Sequence, residues 1–237
     1  MKKFPFRLID LTHTLHSSIP TWGGGCGFKH DMAKDYEPDS PWKFRTYKIA
    51  MEEGIGTHID APAHCIPASK YIDDIPLDTL IAPCVVIDVS NKADETYRVS
   101  AQDIDTFENI HGAIHPGTFV IVRTGWDRFW DEPAKYHNNL MFPCLTESTA
   151  QLLVQKNIVG LGIDTLSPDR PEHGYPVHKI ILGANKYIVE NVANSAQLPV
   201  VGCFSFSVPL KIYQGTEAPI RLIGLVPIEN KQHISAL

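Results

Sequence analysis

At 237 residues with a formal net charge of −6, the chain is long enough to bury a large core as one domain, and its charges of both signs are scattered. No Lys/Arg run suits nucleic acid or an anionic membrane surface, and no apolar run approaches membrane-spanning length. The five cysteines (Cys26, Cys65, Cys84, Cys144 and Cys203) are odd in number and widely spaced, with no Cys-x-x-Cys pair. That argues against a disulfide framework or a thiolate zinc site and fits a reducing cytoplasm. Met1-Lys2-Lys3 is followed by an apolar stretch that Arg7, Asp10 and His13 interrupt, so no signal peptide is expected.

In chain order, Thr12-His13-Thr14 belongs to an early strand or turn. Residues 22–43 carry Gly23-Gly24-Gly25, Pro38, Pro41 and many charges, and read as a long loop or flap. Residues 44–52 alternate, with Tyr47, Ile49 and Met51 on one face, which predicts a half-buried strand. It runs into Gly54-Ile55-Gly56, where glycine permits a bend. Val- and Ile-rich runs at 84–89, 118–123, 158–164, 200–206 and 221–226 predict further strands. Helices are predicted after Ser100, an N-cap with Asp103 at the capping-box offset, over 147–156 after Thr146, and over 178–185. No repeat or linker divides the chain, so residues 1–237 read as one α/β domain.

The chemistry concentrates in Gly56-Thr57-His58-Ile59-Asp60-Ala61-Pro62-Ala63-His64. Imidazole and carboxylate are the usual nitrogen and oxygen ligands of a divalent metal that activates water. In an extended segment His58 and Asp60 share a face, because side chains alternate with period two. His64 has the same parity, but Pro62 turns the chain before it. Cys65 and His64 point to opposite faces, which disfavours a Cys/His nucleophile. Downstream, Asp164 ends a strand, His178 opens a helix and Glu190 follows it. Alone, His178 reads as a helix-start histidine and Glu190 as a surface carboxylate; only the fold joins them.

With those blocks in place, the chain resembles the cyclase family of metal-dependent hydrolases, which includes kynurenine formamidases and isatin hydrolases. The family pattern His-x-Gly-Thr-His-x-Asp-x-Pro-x-His is matched by Gly56, Thr57, His58, Asp60, Pro62 and His64. Gly162-Ile163-Asp164-Thr165, Pro176-Val177-His178, Glu190-Asn191 and Gly215-Thr216 resemble the family's other blocks in the same order. The resemblance implies a swivelling β/β/α domain, a homo-oligomer (dimer or tetramer), and zinc or manganese at the motif. It implies His58, Asp60, His178 and Glu190 as metal ligands and His64 as the catalytic histidine. The implied reaction is hydrolysis of a C–N amide, cyclic amide or lactone bond in a small, in some members aromatic, substrate. Apart from the resemblance, Trp22 beside Gly23-Gly24-Gly25 reads either as a packed loop aromatic or as a cap on an aromatic substrate.

The chain departs from the pattern at its first histidine, where it has Gly54. Three outcomes stay open: Glu52 or Glu53 substitutes, one ion occupies a rearranged site of His58, Asp60, His178 and Glu190, or metal binding is weakened or lost. The last would leave a non-catalytic descendant that binds a small ligand or partner. Of the other candidates, His173, Asp169 and Arg170 read by default as loop residues, with an approach to the site left open for each, and His111 and His115 read as surface residues. Ser205 and Ser207 lack a nucleophile elbow, and Gly23 to Gly27 lacks the ending of a phosphate loop.

Overall fold

The computed structural model describes residues 4–25 and 27–228; the expectations for Cys26 and for Met1-Lys2-Lys3 fall outside them. Its strands are β1 (Phe6–Asp10), β2 (Lys29–Lys34), β3 (Thr46–Ala50), β4 (His58–Asp60), β5 (Ile81–Asp88), β6 (Arg98–Val99), β7 (Phe119–Arg123), β8 (Cys144–Leu145), β9 (Gly160–Ile163), β10 (Tyr187–Glu190), β11 (Cys203–Phe206), β12 (Glu217–Pro219) and β13 (Ile223–Pro227). Its helices are α1 (Leu77–Leu80), α2 (Ala101–His111), α3 (Pro133–His137), α4 (Glu147–Gln155) and α5 (Pro176–Gly183).

Nine strands form one sheet in the order β1-β13-β11-β5-β7-β9-β10-β4-β12. Its centre, β5-β7-β9-β10, is parallel, and the strands added on both flanks are antiparallel. The central strands need cover on both faces. On β7, Phe119 and Ile121 face one apolar cluster with residues of β4, β5 and β10. Val120 and Val122 face the other, shared with α2, α4 and α5. This is the α/β architecture read from the sequence.

The helix starts follow the predicted chemistry. The Asp103 carboxylate accepts from the Ser100 N–H at 2.7 Å and pairs with Lys92, and the Thr146 hydroxyl accepts from the Thr149 N–H at 3.3 Å. The predicted strand at 200–206 begins only at Cys203, because Gly202 takes a φ of +83° ahead of it. The other difference is larger. Residues 22–43 are not a structureless flap: β2 lies within them and pairs antiparallel with β3. β3 is not half-buried either, since every residue of both strands is exposed, including Met32, Tyr47 and Ile49. The alternation of residues 44–52 specified a strand correctly, but burial needs a covering layer, and among the described residues none lies over it.

Asp164, just past β9, ties the sheet to the loop after β7. Its carboxylate accepts from the Thr124 N–H (2.8 Å), the Thr124 hydroxyl (2.6 Å) and the Gly125 N–H (2.6 Å). Complete burial, with the Asp127 carboxylate adding to it, pushes its pKa up to about 6 against those donors. An asparagine there loses the charge and one acceptor and turns an N–H₂ toward N–H donors. Asp164→Asn is expected to cost about 1–3 kcal/mol, read as a lower urea midpoint at unchanged slope. A wild-type midpoint would show that the carboxylate is not holding the loop.

Candidate metal centre and active site

Strand β4 lies between β10 and β12 and is antiparallel to both. The register sets Glu190 opposite His58 and Glu217 opposite Asp60. Directly opposed residues of antiparallel strands share a face, as do residues two apart on one strand. His58, Asp60, Glu190 and Glu217 therefore project together. Ile59, Val189 and Ala218 project from the other face and are completely buried in the core. Helix α5 packs on β10 and brings His178 over the polar face.

The His58 Nε2 atom lies 3.4 Å from Asp60 Oδ1, 3.4 Å from Glu190 Oε2 and 3.6 Å from Glu217 Oε1. The His178 Nε2 atom lies 3.4 Å from Glu190 Oε1 and 3.6 Å from Asp60 Oδ2. Two groups result, His58/Asp60/Glu217 and Asp60/His178/Glu190, each with its donor atoms within 4.8 Å of one another and with Asp60 in common.

Both imidazoles are held from behind. The His58 Nδ1–H donates to the Gly56 carbonyl at 2.8 Å, which a φ of +61° at Gly56 turns toward the ring. The Asn191 side chain donates to the same carbonyl at 2.8 Å. The His178 Nδ1–H donates to Asp169 Oδ2 at 2.9 Å. Asp169 also accepts from the Val177 and His178 N–H groups (3.1 and 2.9 Å), so one buried carboxylate caps α5 and sets the ring. A carbonyl and a carboxylate only accept, so each Nδ1 carries a proton and Nε2 is the ring atom left facing the cluster, free to ligate once its own proton is displaced.

Asp60 is 1% exposed, yet neither of its oxygens has a hydrogen bond; the imidazole contacts of 3.4 and 3.6 Å lie outside good hydrogen-bond geometry. Burial by itself would favour neutral His58 and His178, but Asp60 and Glu190 beside His58, and Asp169, Asp60 and Glu190 beside His178, raise both rings well above the ordinary histidine value. Burial likewise pushes the Asp60 carboxyl up, and His178 and His58 more than reverse it. Orphaned carboxylate oxygens, inward-facing imidazole Nε2 atoms and a strongly negative local field fit a divalent cation, whose binding would displace the Nε2 protons.

These groups form part of the wall of a cavity of about 660 Å³. His64 reaches it from the turn after Pro62, its ring centre 5.8 Å from that of His178 and its Nδ1 3.3 Å from Glu217 Oε2. It belongs to neither ligand group. Contact with Glu217 raises its pKa against the effect of burial. Trp22 lines the same cavity, its ring 6.2 Å from that of Tyr175 and its carbonyl 3.1 Å from His137 Nε2. Cys65 also lines it, but burial pushes its thiol up, away from the thiolate a nucleophile needs. All the predicted site residues thus come to one cavity.

Sequence reasoning undervalued Asp169 and Arg170 and missed Glu217. Asp169 and Arg170 do lie in the loop before α5, but both are buried there and not surface charges. Glu217 carried no signal beyond its place directly after Gly215-Thr216. Neither Glu52 nor Glu53 belongs to a ligand group; the Glu53 carboxylate instead accepts from the Thr216 N–H at 2.9 Å and the Glu217 N–H at 3.3 Å. His173 lies 3.2 Å from Arg170 and outside the cavity wall, and His13 stacks on Trp130 at 3.8 Å.

Comparison with known proteins agrees. The Cyclase family model matches residues 9–170. An isatin hydrolase from Roseibium aggregatum is 33% identical over 208 residues, covering 81% of this chain and 79% of that protein. A kynurenine formamidase from Paracidovorax citrulli is 26% identical over 233 residues, covering 94% and 98%. The crystal structure of an isatin hydrolase bound to the product analogue thioisatinate superposes with a TM-score of 0.87 at 29% identity, covering 94% of each chain. The chain belongs to the cyclase family and is a hydrolase.

Proposed function

We propose that the chain is a metal-dependent hydrolase that opens a C–N amide, cyclic amide or lactone bond in a small aromatic substrate, as kynurenine formamidases and isatin hydrolases do by name. The carrying observation is the pair of ligand groups that share the buried, unpartnered Asp60 at the wall of the cavity. His58, Asp60, His178 and Glu190 would hold zinc or manganese. A bound divalent ion supplies Lewis acidity, making water a better nucleophile and polarising a carbonyl.

The chain's own groups do the rest. Gly56 and Asp169 keep the Nε2 atoms of His58 and His178 turned inward. In the hydrolysis, water adds to the carbonyl carbon, the bond to nitrogen or ring oxygen breaks, and the leaving atom takes up a proton. His64 carries that proton, with Glu217 beside its Nδ1 favouring the charged ring. Trp22 and Tyr175 supply an aromatic wall.

The same reading makes the protein a cytoplasmic homo-oligomer, dimer or tetramer, with a small-molecule substrate and no nucleic-acid or membrane partner. Supporting it are the exposed β2–β3 hairpin, with Met32, Tyr47 and Ile49 on its surface, and the free thiols of Cys65, Cys84, Cys144 and Cys203. No helix among the described residues is long and apolar enough to cross a membrane.

Protein purified without chelator is expected to carry at least one zinc or manganese per chain by elemental analysis, and Asp60→Ala to lose it together with hydrolysis of isatin or an N-formyl aromatic amine. Full occupancy in the variant would refute the ligand assignment. His64→Gln is expected to lower kcat by roughly 10²–10⁴-fold at unchanged metal content; an unaltered kcat would remove His64 from the proton transfer. Trp22→Ala is expected to raise KM by about 3–10-fold with little change in kcat, the scale of one lost aromatic contact. Unchanged KM would place the substrate elsewhere in the cavity.

A further inference from the structure

Gly54 stands where the family pattern has its first histidine, and it packs directly against Glu217. A Cβ added to Gly54 would lie 2.8 Å from the Glu217 carboxylate carbon and closer still to Oε1. Real side chains do not approach that closely, and the obstructing atoms are the reactive end of the glutamate. Residue 54 cannot carry a side chain while Glu217 keeps this position.

The neighbouring residue completes the arrangement. The Glu53 carboxylate holds the Thr216 and Glu217 N–H groups, fixing the start of β12. Antiparallel pairing with Asp60 then aims the Glu217 side chain across β4. One glutamate oxygen comes to rest 3.6 Å from His58 Nε2 and the other 3.3 Å from His64 Nδ1. The acidic cluster is not the whole case: Asp60, 1% exposed and with both oxygens unpartnered, points into the same group.

From this packing we infer that Glu217 is a metal ligand that replaces the absent histidine: Gly54 clears the space, Glu53 fixes the strand, and Glu217 Oε1 completes the group with His58 and Asp60. The inference rests on the metal-dependent reading above. It changes that group from the two nitrogens and one oxygen of the family pattern to one nitrogen and two oxygens. Oxygen-rich sets suit manganese better relative to zinc than imidazole-rich ones do. The other Glu217 oxygen faces His64, so the same carboxylate joins the ligand group to the proton carrier.

The test is Mn²⁺ and Zn²⁺ affinity of the metal-stripped full chain, by competition with a chelating dye, for wild type, Glu217→Gln, Glu217→Ala, Gly54→His and Gly54→His/Glu217→Ala. Thermal melts check that each variant folds. Glu217→Gln and Glu217→Ala are expected to weaken one site by more than about 100-fold, beyond the range of residues that merely support a ligand. Gly54→His alone is expected to weaken it as well, because the new side chain displaces the glutamate. The double variant is expected to bind more tightly than either single variant, with a lower ratio of Mn²⁺ to Zn²⁺ affinity than wild type.

That mutual rescue is what a shared ligand position requires and a merely structural glutamate does not. If wild type binds metal and both Glu217 variants bind it equally well, Glu217 serves only His64 and the inference is overturned. A double variant no better than the single ones overturns it too. If folded wild type binds neither ion, the metal-dependent reading itself fails and takes the inference with it.

Discussion

Everything at this site depends on the register of a three-residue strand. β4 is paired on both sides, so His58 and Asp60 must share a face with whatever β10 and β12 place opposite them. Those residues are Glu190 and Glu217. A slip of one residue would turn His58 and Asp60 into the core and Ile59 into the cavity. The complete burial of Ile59, Val189 and Ala218 on the opposite face resists that slip. Hydrophobic packing on one side of the sheet thus fixes electrostatics on the other.

The consequence is a concentration of negative charge faced only by imidazoles, which a divalent ion can replace as the source of positive charge. Among the described residues no lysine or arginine pairs with Asp60, Glu190 or Glu217; the partners are histidines. Burying carboxylates without a hydrogen bond is costly. A cation that binds only the folded arrangement adds its binding free energy to folding. The supporting hydrogen bonds tell the same story. Gly56 and Asp169 each spend a buried acceptor on an Nδ1 atom, which leaves the two Nε2 atoms facing inward. Asp169 also caps α5, so helix placement and ring orientation cannot vary independently.

Much of this was legible in the sequence, for identifiable reasons. His58, Asp60 and His64 stand within seven residues, where strand parity and a proline turn predict their directions. The central strands declared themselves by Val and Ile runs, and α2 and α4 by their caps. His178 and Glu190 lie on different elements, and only their agreement with a family pattern joined them to the motif. Glu217 escaped because it sits on a three-residue edge strand far along the chain from Asp60, and its meaning is set by pairing and not by local pattern. Gly54 was visible as a gap, but what fills the gap was not. Asp169 escaped because a capping carboxylate seven residues before the helix has no fixed spacing rule. β3 shows the opposite failure: its alternation was real, but alternation reports a strand and cannot report whether anything covers it.

The central claim is that one strand register assembles a cation site in which β12 takes part. Anomalous diffraction at the manganese edge from crystals of the Mn²⁺-loaded protein tests it most directly. The account predicts a peak bounded by His58 Nε2, Asp60 and Glu217 Oε1. A sole peak bounded by Asp60, His178 and Glu190 with Glu217 turned away, or no peak among these residues, would contradict it.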